Sequence, residues 1–288
     1  MPELLTPSRV QELLRAHGLA PRRSAGQNFV TDANTVRRIV AAAALDADDT
    51  VLEIGPGLGS LTLGLAGAVA RVVAVEIDAG MVAALSEVLD GLDHVEVVHA
   101  DALRADLGTL VAPGPARLVA NLPYNTATPL VLRALADPAI VDLFVMVQRE
   151  VGERWAATPG DPLHAGVSVK VALQADARIE LAIPRAVFHP VPNVDSVMVR
   201  LTRRPDVPDP ATVRALGHLV DVAFGQRRKT LRNNLRGRIA IDRLEAAAAA
   251  ADVDLAARAE TLDAAAVQRL GDALGDDLAH LAASAPRG

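Results

Sequence analysis

Cysteine is absent from all 288 residues, which excludes disulfides, thiolate metal sites and cysteine nucleophiles. Aromatics are nearly absent as well, limited to Phe29, Phe144, Phe188, Phe224, Tyr124 and Trp155. The core must therefore be aliphatic, and an aromatic in a proline-rich loop needs a local reason. Histidines number seven and are scattered without close ligand-like pairs, so neither a zinc site nor any other metal is expected. No apolar run approaches the roughly 20 residues of a membrane span. The opening Met1-Pro2-Glu3-Leu4-Leu5 lacks the basic start and apolar core of a signal peptide. A cytoplasmic protein without membrane attachment is the expectation. Lysine is scarce, two against 27 arginines.

Hydrophobic residues make up 51% and charged residues 22% of the chain, a composition that folds rather than staying disordered. The net charge of -6 argues against a nucleic-acid partner until its distribution is read. From Ile239 onward nine acids face four arginines, whereas no acid occurs between Val222 and Arg238. Within that gap lie Arg227, Arg228, Lys229, Arg232, Arg236 and Arg238. The local map matters more than the sum.

From about residue 50, β-branched runs alternate with helical patterns. Strands are expected over 51–54, 71–77, 94–98, 117–120 and 143–147, with helices over 61–68, 80–89 and 128–136. This alternation predicts an α/β fold with a mostly parallel sheet. Residues 167–175 and 194–202 read as two further strands, suited to antiparallel pairing at the sheet's end. Three prolines within 204–210 mark a linker, followed by Ala/Leu-rich helices broken at Gly225, Gly237 and Gly275. The expected division is a catalytic α/β domain over 1–205, capped by helices within 1–49, and a small all-helical domain over 206–288.

Glu53-Ile54-Gly55-Pro56-Gly57-Leu58-Gly59 joins the first expected strand to a helix. Glycines there let the backbone turn sharply and approach a ligand. A dinucleotide fingerprint would place glycine where Ser60 stands, which disfavours a nicotinamide dehydrogenase. The turn with its preceding acid suits S-adenosylmethionine. Glu76, 21 residues beyond Gly55, can accept from both ribose hydroxyls of a nucleoside. Asp101 follows the third expected strand and can accept from an adenine amine. Gly26-Gln27-Asn28-Phe29 precedes a helix and could lid the cofactor.

Asn121-Leu122-Pro123-Tyr124 follows the fourth expected strand, where open α/β sheets bind ligands. The N6 amine of adenine is a poor nucleophile because its lone pair is delocalised into the ring. Acceptors on its hydrogens, the Asn121 side chain and the Leu122 carbonyl, would localise that pair. Pro123 stiffens the loop, and Tyr124 offers a face for stacking. Phe188, on a proline-stiffened loop, could close the other face of the base or could equally be a core residue. Gln226 to Arg236 reads as a helix with cations on a broad face, either solvated or in contact with phosphate.

Taken in order, Gly26 to Phe29, Glu53 to Gly59, Asn121 to Asn125, Pro190 to Ser196 and Gln226 to Thr230 resemble the KsgA-type small-subunit ribosomal RNA adenine N6,N6-dimethyltransferases. The similarity spans about residues 20 to 236, with departures at Ala25, His164-Ala165 and Asn193. It implies a Rossmann-like class I methyltransferase sheet and S-adenosylmethionine as cofactor. The implied activity is dimethylation of two adjacent adenines in the 3′-terminal hairpin of 16S rRNA, by a monomer acting on an immature small subunit. By residue matching, Asn28, Val30, Gly55, Glu76, Asp101 and Asn121 would hold the cofactor, with Gln27, Gly57, Ile77 and Ala102 beside them. Tyr124 and Phe188 would sandwich the adenine. Arg22, Arg23, Arg227, Arg228, Lys229, Arg232 and Arg236 would contact RNA. Two rivals are a macrolide-resistance methyltransferase of 23S rRNA and a ribosome-assembly factor whose binding matters more than catalysis.

Overall fold

The computed structural model describes residues 2–21 and 27–283. In chain order the elements are α1 (Pro7–Ala16), β1 (Phe29–Val30), α2 (Ala33–Ala43), β2 (Thr50–Ile54), α3 (Ser60–Ala66), β3 (Arg71–Glu76), α4 (Ala79–Val88), β4 (Val95–His99), α5 (Leu107–Val111), β5 (Ala116–Asn121), α6 (Ala127–Ala136), β6 (Ile140–Gln148) and α7 (Arg149–Ala156). They continue with α8 (Gly166–Ala172), β7 (Ala175–Ile183), β8 (Phe188–His189), β9 (Ser196–Arg203), α9 (Pro210–Phe224), α10 (Leu231–Leu235), α11 (Ile241–Ala251), α12 (Ala264–Leu274) and α13 (Asp276–Ala283).

Strands β2 to β6 are the apolar, β-branched runs of the sequence, and a sheet covered on both faces favours such runs. Their order in the seven-stranded sheet is β4-β3-β2-β5-β6-β9-β7. Every pair from β4 to β6 is parallel, and β9 runs antiparallel to β6. The chain builds outward through β2, β3 and β4, then returns to lay β5 on the other side of β2. That reversal opens a crevice at the carboxyl ends of β2 and β5, where such sheets bind ligands. Helix starts are set locally. Asp32 Oδ1 accepts from the Thr35 N–H at 2.6 Å, and Asp78 Oδ1 accepts from the Gly80 and Met81 N–H groups at 2.9 and 3.3 Å.

The chain forms two compact units, one of residues 1–152 and 178–202, the other of 153–177 and 203–288. The linear division at 205 therefore leaves out a segment, 153–177, that folds with the helices. Within that segment the strand expected over 167–175 is instead the helix α8. The Val167-Ser168-Val169-Lys170-Val171 alternation imitates period 2, but Val169 and Leu173, four apart, face the core of the helical unit. Gly166 lets α8 approach α9 closely, because a Cβ there would lie 3.2 Å from Val220 and 3.4 Å from Phe224. His164 precedes it, buried, its ring nitrogens 3.2 and 2.9 Å from the carbonyl oxygens of Ala157 and Leu262. The edge strand β7 has no clean alternation and goes unread in the sequence. Breaks at Gly225, Gly237 and Gly275 stand as expected, with φ of +77° and +55° at the latter two.

Candidate functional site at the carboxyl ends of β2 to β5

The β2–α3 turn requires its glycines: φ is +72° at Gly55, +57° at Gly57 and +88° at Gly59. At Gly57 a second constraint applies, since a Cβ would stand 2.7 Å from Cε1 of Phe29. The bare backbone of this turn borders a cavity of about 350 Å³ in the α/β unit, a size that accommodates a small cofactor. All ten residues expected to hold the cofactor line it: Gln27, Asn28, Val30, Gly55, Gly57, Glu76, Ile77, Asp101, Ala102 and Asn121. Residues scattered over about a hundred positions converge because each sits at or just beyond the carboxyl end of a neighbouring strand, or on or just before the short β1.

Glu76 ends β3 and is almost wholly buried. Its Oε2 accepts from the Gly57 N–H at 3.1 Å, while Oε1 accepts from the Ile77 and Asp78 N–H groups at 2.8 and 2.9 Å. Burial outweighs those three donors, so this carboxyl is raised above the usual range. The carboxylate is thus rigidly aimed, with lone pairs remaining for a ligand's hydroxyls. Asp101 is held by the Leu103 N–H at 2.9 Å and by Arg104 at 3.5 Å. Ile77, beside Glu76, is 64% exposed and supplies an apolar wall.

Asn121 ends β5. Its Nδ2 donates to the Asn28 carbonyl at 2.9 Å, which commits the amide nitrogen and leaves Oδ1 as an acceptor. The Leu122 N–H donates to the Met146 carbonyl at 3.1 Å, and its side chain is buried. Pro123 lines the cavity and packs over Gly55, where a Cβ would lie 3.3 Å from its Cδ. Tyr124 is half-buried, and its hydroxyl is 2.8 Å from Ser196 Oγ. Burial raises its phenol, with Ser196 opposing.

Two expected site groups are placed otherwise. Phe188 pairs with Val30 in the β1–β8 ribbon and is 2% exposed, packed in the apolar cluster of Val30, Val36 and Ile39. It does not border the cavity, and neither do Leu122 and Tyr124. The helix expected over 226–236 is confined to α10, and Gln226 to Lys229 form a turn. Arg227, Arg228 and Lys229 are exposed around a shallow recess. Arg232 pairs with Glu245 of the acidic tail, and Arg236 is exposed at the end of α10. Arg22 and Arg23 lie outside the described residues.

Glu53, in β2, is the site residue that sequence reasoning passed over except as part of the glycine motif. It is 1% exposed and lines the cavity. Burial, reinforced by the charge of Glu76, pushes its carboxyl up to about 8, with Thr62 opposing. Together with Glu76 and Asp101 it makes the ionisable lining acidic among the described residues. That donor set fits a cation-bearing nucleoside with free ribose hydroxyls, as S-adenosylmethionine is.

An open parallel sheet with a glycine turn after β2 and acids closing β3 and following β4 defines a Rossmann-like, S-adenosylmethionine-dependent methyltransferase. Residues 18–274 match the family described as ribosomal RNA adenine dimethylase, and the chain belongs to that family. It is 49% identical to a ribosomal RNA small subunit methyltransferase A of Thermobifida fusca, over 93% of this chain and 96% of that protein. To the protein of the same name from Geobacillus thermodenitrificans it is 38% identical, over 94% and 97%. Among solved structures it resembles the 23S rRNA methyltransferase ErmE, with a TM-score of 0.64 and 30% identity over 85% of this chain and 99% of that one. A dimethyladenosine transferase from Plasmodium falciparum shares the fold, with a TM-score of 0.68, 24% identity and coverage of 84% and 95%.

Proposed function

We infer that this protein transfers methyl groups from S-adenosylmethionine to the N6 amines of two adjacent adenines in the 3′-terminal hairpin of 16S rRNA. The observation that carries the chemistry is the Asn121 amide. Its nitrogen is engaged by Asn28, so its oxygen is the group available to an incoming amine. Bound in the cavity, S-adenosylmethionine supplies an electrophilic methyl on a sulfonium. Glu76 orients the ribose and Asp101 the adenine of that cofactor. Asn121 Oδ1 and the Leu122 carbonyl accept from the two N6 hydrogens of the target and localise its lone pair. Pro123 keeps both acceptors in place, and Tyr124, fixed through Ser196, is the platform for the extruded base. Methylation itself acidifies the amine, so the surplus proton passes to solvent without a dedicated base. Phe188 serves the site by holding β1 and β8 together, and reaches the base only if its ring leaves the cluster.

Small-subunit RNA is favoured over large-subunit RNA by the 38–49% identity to small-subunit enzymes, against 30% to ErmE. The intact Glu76, Asp101 and Asn121 constellation disfavours a role in assembly without catalysis. The expected setting is an immature small subunit in the cytoplasm, engaged by one copy of the protein. The test is to map N6-methylated adenines on 16S and 23S rRNA after incubation with the protein and cofactor. Methylation is expected on 16S rRNA alone. Asn121→Ala should lose turnover by at least a hundredfold, the scale of an electrostatic group acting in the transition state, while cofactor affinity falls much less. Marks on 23S rRNA, or near-normal turnover of Asn121→Ala, would overturn the respective assignment.

A further inference from the structure

Three carboxyls border the cavity, and they are not equivalent. Glu76 receives three backbone N–H donors, and Asp101 receives one N–H and stands beside Arg104. Glu53 Oε2, by contrast, is buried without a hydrogen-bond partner among the described residues, and the one group opposing its upward shift is the nearby Thr62 hydroxyl. From β3 the charge facing Glu53 is Glu76; among the described residues β5, α3 and β1 present no ionisable group to it, and Asp101 lines the same cavity. Among the described residues no cation is at hand to keep Glu53 ionised in the free protein. The cofactor brings one: S-adenosylmethionine carries a net positive charge through its sulfonium, whereas the product S-adenosylhomocysteine is neutral at sulfur.

We propose that Glu53 is a proton-linked counterion for the methyl donor, protonated in the free protein and ionised when the sulfonium enters the cavity. This inference rests on the cavity being the cofactor site. Binding of the donor releases the Glu53 proton to solvent and forms the buried ion pair. Once the methyl has left, the sulfur is neutral, Glu53 takes a proton back from solvent, and the attraction that held the donor is gone. The site thereby distinguishes donor from product by charge, although the two differ by a single methyl. The upward displacement of the Glu53 carboxyl to about 8 places this exchange within the physiological range.

Calorimetric titration of the full chain in buffers of different ionisation enthalpy counts the protons. At about pH 6.5 the ligand's α-amino group, with an ordinary value of about 7.7–8.0, stays largely protonated and contributes little. Donor binding should release on the order of one proton and product binding essentially none. Donor affinity should rise by up to about tenfold per pH unit as pH approaches 8. Glu53→Gln should abolish both the release and the pH dependence. Infrared difference spectra of the wild-type protein provide a check independent of that variant's folding: a protonated-carboxyl band should vanish on adding donor and persist on adding product. Equal proton release with both ligands, or unchanged release in folded Glu53→Gln, overturns the proposal while leaving the cofactor site intact. Failure of the donor to bind at all overturns the reading of the cavity itself.

Discussion

A carboxyl group deprived of water and of donors resists ionisation, and Glu53 carries that burden in the free protein. Its value is pushed from 4.5 to about 8 by burial, so the folded state holds a proton that the unfolded chain has already lost. Between those values the native state binds more protons than the unfolded one, and stability falls as pH rises. The slope is about 1.4 kcal/mol per pH unit at most. Urea unfolding of the cofactor-free protein at several pH values should show this decline between about pH 5 and 8. Glu53→Gln should remove most of it and leave the variant the more stable form at the alkaline end. A wild-type curve as flat as that of the variant would show that Glu53 ionises freely. Gly57 presents a different demand at the same scale, because both its φ and its contact with Phe29 exclude a side chain.

At the scale of elements, ion pairs lock the strands at the amino ends of β5 and β6, opposite the end that carries the cavity. Asp142 on β6 accepts from Arg117 on β5 at 3.0 Å and from Arg200 on β9 at 2.9 Å. Arg117 also reaches Asp49, and Arg200 reaches Glu180 on β7 while its guanidinium lies 4.6 Å from the centre of the Phe144 ring. Hydrogen bonding to Asp142 and Asp49 outweighs the desolvation of Arg117, whose guanidinium is raised. These side chains are mostly withdrawn from solvent, unlike ordinary surface pairs. Asp142→Ala removes the carboxylate the two cations share, leaving Arg117 with Asp49 and Arg200 with Glu180, and should cost about 2 kcal/mol in denaturant unfolding, the scale of hydrogen bonds to charged groups. A cost below about 1 kcal/mol would place the network among surface pairs.

For the whole molecule the question is how an acidic chain holds RNA. The exposed turn Arg227, Arg228 and Lys229 has no acidic partner among the described residues, whereas Arg232 is paired with Glu245. The three unpaired cations are therefore the stronger candidates for contact with phosphate. Neutralising them together should weaken RNA binding and reduce the slope of log affinity against log salt by about 0.7–0.9 for each phosphate they neutralise. Cofactor affinity should not change, since its site is built within the α/β unit. An unchanged salt slope in a folded triple variant would decide against the RNA role.

Much of the parallel sheet and ten of the residues that line the cavity were legible in the chain. Apolar runs, glycine turns and strand-end acids are local signals whose spacing is set by strand and helix length. Sequence alone therefore determined the α/β class, the glycine turn at 55–59 and the positions of Glu76, Asp101 and Asn121. Tertiary structure decided the rest. Residues 166–172 alternate like a strand, yet fold as a helix because Val169 and Leu173 find a core supplied by helices far along the chain. Phe188 looked equally suited to stacking and to packing, and only the β1–β8 pairing put it in the core. Glu53 gave no hint of its protonation, because that depends on which donors surround a buried carboxyl, and those come from residues brought together only by the fold.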